Sequence, residues 1–129
     1  MIARELATYL AGRGLGTIGT DIFIGHFPAS VESGVYLVQT GGEGQDGYLD
    51  TMYENIDIWA ADPQKADSYT KLQNIANILS RNTNYNLTNY YVYYTNDVSG
   101  IMDMDKTIDG LSLHKMTIHA IYRNINLIS

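Results

Sequence analysis

The chain of 129 residues contains no cysteine, which excludes disulfide bridges and thiolate metal sites. Long apolar runs are missing too, and no segment approaches the roughly 20 apolar residues of a membrane-spanning helix. The first ten residues carry Arg4 and Glu5 where a secretory signal would have an uninterrupted apolar stretch. We therefore expect a soluble protein that is made where it works and makes no contact with a membrane.

Basic residues are scarce: the chain has eight Lys and Arg but fourteen Asp and Glu, which gives a net charge of −6. They form no basic run, which argues against a protein that grips nucleic acid through its phosphates. There are two phenylalanines and one tryptophan but eleven tyrosines. Because a tyrosine has an apolar ring and a polar tip, it suits core margins and surfaces that become buried in an assembly. The size and the 45% hydrophobic content indicate one globular domain over residues 1–129.

The first half of the chain predicts one helix followed by three strands. Ile2, Leu6, Tyr9 and Leu10 form one helical stripe, glycines between 12 and 19 force a turn, and an alternating strand ends at Pro28. A short strand is predicted at 35–39, followed by a loop at 41–50 because four glycines among acidic residues disfavour a strand. The third strand, over 52–61, places one set of residues on an apolar face: Ile56, Ile58 and Ala60.

The second half predicts a helix and two more strands. Asp62 as N-cap and Pro63 at the first helical position predict a helix that ends at Asn82. A strand at 90–94 follows, then a loop at 96–110 and a last strand. That strand alternates between an apolar face (Met116, Ile118, Ala120, Tyr122) and a polar face (Lys115, Thr117, His119, Arg123). We thus expect an α+β fold in which a small mixed β-sheet of about five strands is flanked by two helices, in the order helix, three strands, helix, two strands.

No motif for catalysis or cofactor binding is complete in this sequence. The glycines between 12 and 19 follow a helix and precede a strand, which is the reverse of a dinucleotide-binding fingerprint. The acidic segment that begins at Asp103 resembles an EF-hand loop, but its sixth and twelfth positions hold Ile108 and His114 instead of Gly and Glu. His114 and His119 lie an odd number of residues apart on one predicted strand, so they point to opposite faces. We therefore expect that the chain is not an enzyme and that it has no catalytic residue, no cofactor and no metal.

The opening sequence, a helix followed by GLGTIGTDIFIGHFP at 14–28, resembles the minor capsid and tail-completion proteins of long-tailed bacteriophages, in particular the tail terminators. The resemblance implies a structural virion protein that forms a homohexameric ring, caps the tail tube, stops tube growth and joins the head connector. The implied partners are further copies of the chain, the major tail tube protein, and a head-tail connector or head-completion protein. Genomic DNA would pass through the channel without specific binding. The implied location is the neck region of the virion, after assembly in the host cytoplasm.

Two predicted loops are candidates for contacts in such an assembly, because both exceed the common hairpin loop of about 2–5 residues. They contribute these candidate interface residues: Gly44, Gln45, Asp46, Gly47, Tyr48, Asp103 and Asp105. Two alternatives stay open. One is a head-completion or connector protein of the same neck region, and the other, from a different class, is a non-catalytic ligand-binding α+β domain.

Overall fold

The computed structural model describes residues 2–25, 27, 32–45, 51–108 and 110–125, with the backbone alone at 41–45 and 105–108. Two helices are present, α1 (Ile2–Gly12) and α2 (Lys65–Leu79). The strands are β1 (Ile22–Ile24), β2 (Gly34–Gln45), β3 (Thr51–Asp62), β4 (Asn82–Asn86), β5 (Tyr90–Asp97), β6 (Met102–Ile108) and β7 (Leu111–Asn124). The first five elements follow the predicted order, and four strands instead of two come after the second helix.

The strands form one mixed sheet, which confirms the predicted α+β class. The order is β1-β2-β3-β7-β5-β4, and β6 also pairs with β7. β1 runs parallel to β2, whereas the pairs β2–β3, β3–β7, β5–β7, β4–β5 and β6–β7 are antiparallel. One edge of the long β7 pairs with β3, and its other edge is divided between two strands: β6 pairs with its first residues and β5 with residues 118–124. The described sheet therefore has seven strands, against the expected five or so.

The two additional strands correct two boundaries. Residues 82–86 were expected to follow the end of a helix, but they form the edge strand β4, because Asn82 and Asn86 pair with Thr95 and Tyr91 of β5. The predicted loop at 96–110 is wrong over 102–108, since Met102 pairs with Lys115 of β7 at the start of β6. In both segments, backbone hydrogen bonds to a strand already in place outweigh a weak local preference for strand.

The predicted loop at 41–50 is wrong over its first half. β2 continues to Gln45, with Gly41 opposite Asn55 and Gly44 opposite Tyr53 on β3. Register shifts between Gln39 and Gly41, and again between Gly41 and Gly44, take up the surplus residues as β-bulges. Glycine therefore weakens the strand without ending it, because pairing with a long neighbour supplies the hydrogen bonds. The remaining residues of that predicted loop, 46–50, lie outside the described part.

The second helix begins later than predicted. Asp62 is the last residue of β3 and not an N-cap; its carboxylate accepts a hydrogen bond from the backbone N–H of Gln64 at 2.9 Å and one from Lys71 Nζ at 3.0 Å. Burial alone would raise the pKa of Asp62, but these two contacts hold that pKa below its ordinary value. Gln64 occupies the N-cap position without a side-chain cap, and α2 ends at Leu79 instead of Asn82. The carboxylate thus ties the end of β3 to the first turns of α2.

Both helices pack on one face of the sheet, as predicted from the polar alternation of the last strand. One continuous cluster joins Leu6 and Leu10 of α1, Leu72 and Leu79 of α2, and the predicted inward residues of β3 and β7. All of the predicted inward residues are at most 2% exposed: Ile56, Ile58, Ala60, Met116, Ile118, Ala120 and Tyr122. The main core therefore lies between the helices and this face. On the opposite face a smaller cluster buries Ala61, Leu111 and Leu113 against Phe27 and Met104.

Two tyrosines, Tyr122 in the core and the half-buried Tyr85 packed against it, make the fold sensitive to alkali. Burial raises the pKa of Tyr85 to about 12, against a smaller opposing contribution from its hydrogen bond with Thr95. Burial also raises the pKa of Tyr122, and Glu54 and Tyr90 add to that rise. An unfolded tyrosine ionises near pH 10. The stability that each phenol contributes is therefore fully present below about pH 10 and is lost as the pH rises above that value, for Tyr85 up to about pH 12.

We expect these two phenols to ionise only together with unfolding. Tyrosinate absorbance and circular dichroism, followed over an alkaline pH series, test this: part of the absorbance change should coincide with the loss of secondary structure. Tyr85→Phe removes one of the two phenols and should shift the unfolding midpoint to higher pH. If every tyrosine instead titrates near pH 10 while the circular dichroism stays native, burial of the two rings is refuted.

Candidate functional site

The sheet face opposite the helices, here called the open face, carries regularly placed side chains on six strands, apart from the small buried cluster of Ala61, Leu111 and Leu113 at one end. In the described part of the chain no helix covers it. Its residues alternate with the core residues along each strand and are Phe23, Tyr36, Val38, Tyr53, Asn55, Asp57, Trp59, Tyr91, Tyr94, Asn96, Met102, Lys115, Thr117, His119, Ile121 and Arg123. Most are half-buried in the chain alone. Their side chains are therefore held in place and still accessible.

An aromatic row crosses one end of the open face. Successive register partners on five strands are Phe23, Tyr36, Trp59, Lys115 and Met102. The rings of Tyr36 and Trp59 are stacked, with centroids 5.9 Å apart and planes 3° from parallel. Lys115 Nζ lies 5.5 Å from the centre of the Trp59 ring, within the range of a cation–π contact. The row therefore consists of large apolar or aromatic side chains held at fixed positions by the sheet, with Lys115 as its one cation.

A second aromatic group lies at the other end of the same face. Tyr53, Ile121 and Tyr94 are register partners on β3, β7 and β5. Next to them, the Arg123 guanidinium lies 5.3 Å from the centre of the Tyr91 ring. Aromatic residues and arginine are the residue types enriched in protein interfaces. Both ends of the open face therefore combine aromatic rings with a cation that lies over one of them.

The polar side chains between the two aromatic groups form hydrogen bonds and an ion pair with one another. Lys115 Nζ lies 3.3 Å from an Asp57 carboxylate oxygen, and the Thr117 hydroxyl donates to the other carboxylate oxygen at 2.7 Å. His119 Nδ1 and Asn55 Oδ1 are 2.9 Å apart. Burial, and secondarily the Asp57 charge, raise the pKa of Tyr36. A partner can thus cover this centre without leaving these groups unpaired.

The predicted interface residues are not brought together. Gly44 and Gln45 lie at the end of β2, opposite Tyr53 and Met52, whereas Asp103 on β6 lies opposite His114, which pairs with Ala60. Met52 and Ala60 are eight residues apart on one strand, a separation of about 26 Å. Asp103 forms an ion pair with Lys65 at 2.5 Å, and the backbone of Asp105 lies in β6. The other candidates, Asp46, Gly47 and Tyr48, lie outside the described residues. An interface role for all of these stays a prediction.

The two described histidines point to opposite sides, as predicted. His114 is 3% exposed and lies on the helix side, where its Nδ1 is 2.9 Å from the Ser68 hydroxyl oxygen. That hydroxyl donates to the carbonyl of Ala60, so His114 Nδ1 carries the proton that it shares with Ser68. His119 belongs to the open face. No group of three or more metal-ligating side chains occurs within the described ranges.

A concavity of about 280 Å³ between α1, α2 and the start of β2 is the main alternative to the open face. Leu10, Ile22 and Ile75 line its apolar part, and Asp21 and Lys71 line its polar part. The Lys71 ammonium is already paired with Asp62, and Asp21 accepts a hydrogen bond from the backbone N–H of Thr17. The charged groups of this cavity are therefore engaged within the chain, which makes it a weaker candidate than the open face.

The open face escaped the sequence analysis as a site. Strand alternation places Asn55, Asp57 and Trp59 on the side of β3 opposite the predicted apolar face, but one strand does not show what lies beside them. The signal lies in the strand register: single aromatic residues on separate strands become one row only after the strands pair.

Among the described helices, none is long and apolar enough to cross a bilayer.

Comparison with protein families gives a match over most of the chain. A family model described as "Bacteriophage tail terminator protein" matches residues 9–124, which contain every strand of the described sheet, α2 and the last four residues of α1. No individually curated protein matches the chain. The match confirms the resemblance inferred from the opening sequence and extends it from residues 14–28 to nearly the full chain.

Proposed function

Because the chain belongs to the bacteriophage tail terminator family and is thus a structural component of the virion tail, we propose that it forms a homohexameric ring that caps the tail tube. In this proposal the ring binds the last ring of major tail tube protein and stops further growth. Its other side joins the head connector or head-completion protein in the neck region. Assembly takes place in the host cytoplasm. The family match over residues 9–124 is the observation that carries the proposal.

The architecture supports a ring. A closed ring needs heterologous contacts, in which one surface of each copy meets a different surface of the next. The chain offers two unlike sides, a helix side with α1 and α2 and an open sheet face rich in aromatic residues. These sides differ in shape, chemistry and charge. One copy can therefore contact its two neighbours through different surfaces.

The charge of the chain suits a channel for DNA. Six copies of net charge −6 give a ring a formal charge of −36. Acidic side chains along a channel repel phosphate, so genomic DNA would pass without specific binding. The same acidity argues against a site that holds DNA in place. In this proposal the chain performs no catalysis and uses no cofactor.

The proposal is tested with the purified chain and with virions. Light scattering should give the mass of a ring, either for the chain alone or after addition of tail tubes, and electron microscopy should show a cap at one tube end. Particles assembled without the chain should have tails of uncontrolled length or heads without tails, and supplying the chain should restore normal particles. A chain that stays monomeric with tubes present and is missing from purified virions would contradict the proposal.

A further inference from the structure

We propose that the open face is the subunit interface of the ring, and that it receives an acidic surface of a second copy of the chain. This inference rests on the ring proposed above and adds which surface of the chain closes it. Three observations support it: the chemistry of the face, its charge relative to the rest of the chain, and its size.

The chemistry of the face is that of an interface core. Tyr36 and Trp59 are stacked and Phe27 packs edge-on against Tyr36, with centroids 4.4 Å apart. These rings are already ordered in the single chain, so covering them costs little side-chain entropy. Aromatic side chains in such rows are the usual anchors of binding energy. A rigid aromatic ridge left half-exposed on a virion protein fits a permanent contact.

The charge of the face selects an acidic occupant. The described side chains on it include one carboxylate, Asp57, and two cations, Lys115 and Arg123, so they sum to +1. The whole chain carries −6, which leaves −7 for all other residues. An acidic surface of a second copy is therefore attracted to this face, whereas two other acidic surfaces of the chain would repel one another. Two open faces placed against each other would instead close a dimer.

The size of the face is sufficient for a specific contact. Five strands at a spacing of about 4.8 Å give a width of roughly 19 Å. From Trp59 to the level of Thr51, eight residues along β3, the face is about 26 Å long. The product is about 500 Å² for each copy, or on the order of 1,000 Å² for the two surfaces together. That reaches the lower bound of specific protein interfaces, and in a ring every copy is held by two such contacts.

Charge reversal with a matched control tests the inference. Arg123→Glu changes the open face, and Arg81→Glu makes the same change in net charge at an exposed residue in the turn between α2 and β4, outside the two sides that are proposed to contact neighbouring copies. A second pair separates packing from charge: Trp59→Ala on the open face against Ile18→Ala in the turn between α1 and β1, where Ile18 is 41% exposed. Thermal melts monitored by circular dichroism verify that all four variants are folded.

Ring formation is then measured by light scattering, or by counting caps on tube ends if the ring forms only there. We expect Arg123→Glu and Trp59→Ala to weaken ring formation at least about tenfold, with Arg81→Glu and Ile18→Ala close to the unmodified chain. Added salt should weaken the unmodified ring.

Each other outcome has a distinct meaning. If the unmodified chain forms no ring even on tubes, the proposed function fails. If it forms rings and both open-face variants do so equally well, the inference about this face is overturned while the ring stands. If Trp59→Ala forms normal rings that no longer bind tubes, the face contacts the tube protein and not a second copy, which also overturns the inference.

Discussion

Replacing Ile58 with aspartate is expected to unfold the chain. Ile58 lies in the middle of β3, is 0% exposed, and has Leu37 and Met116 as its register partners on the two neighbouring strands. An aspartate there would place a carboxylate in the core with no cation to pair with it, at a cost of several kcal/mol. Since a folded domain is stable by about 5–15 kcal/mol, a loss of about 5 kcal/mol or more removes most of the folded population.

Circular dichroism, a denaturant titration and the soluble fraction after expression measure this loss. Ile58→Val is the matched control, because it keeps an apolar branched side chain and should cost only about 1 kcal/mol. An Ile58→Asp chain that melts within a few degrees of the unmodified protein would show that β3 is not the centre of the core.

Gly34→Ala is the second substitution for which we expect a large effect. Gly34 begins β2 at a φ of +153°, and a Cβ built there would lie 2.8 Å from the carbonyl oxygen of Asp21. That oxygen is held in place because it accepts a hydrogen bond from the N–H of Val35 at 2.9 Å. An alanine must therefore displace backbone where β1 joins the sheet, and it also strains its own backbone. We expect a loss of about 2–4 kcal/mol.

Gly12→Ala is the control for the same chemical change. Gly12 is the last residue of α1, and a Cβ there would meet no atom within 4 Å. Since alanine is the better helix former, this variant should be neutral or gain up to about 1 kcal/mol. Thermal melts of the two variants should then differ by roughly 10 °C or more, at about 4 °C for each kcal/mol. Equal melting temperatures would mean that the contact at Gly34 is relieved without cost.

Local sequence patterns did not identify the candidate site. The sequence analysis chose Gly44–Tyr48 and Asp103 with Asp105 because glycine and acidic residues suggested long loops. β2 and β6 instead carry Gly44 and Asp103 to levels about 23 Å apart along the strands, because their partners lead to Tyr53 and Ala60, seven residues apart on β3. The aromatic row was out of reach of this approach, since Phe23, Tyr36 and Trp59 are separated by 13 and 23 residues and come together only through strand register.

The sequence by itself determined the features that depend on near neighbours. The apolar stripe of α1, the inward residues of β3 and β7, the polar alternation that places both helices on one side, and the family all follow from short-range patterns. Tertiary structure alone decided the strands β4 and β6, the extension of β2 to Gln45 and the later start of α2. In each of these segments, long-range backbone pairing or the Asp62–Lys71 contact supplies more free energy than the weak local preference that opposes it.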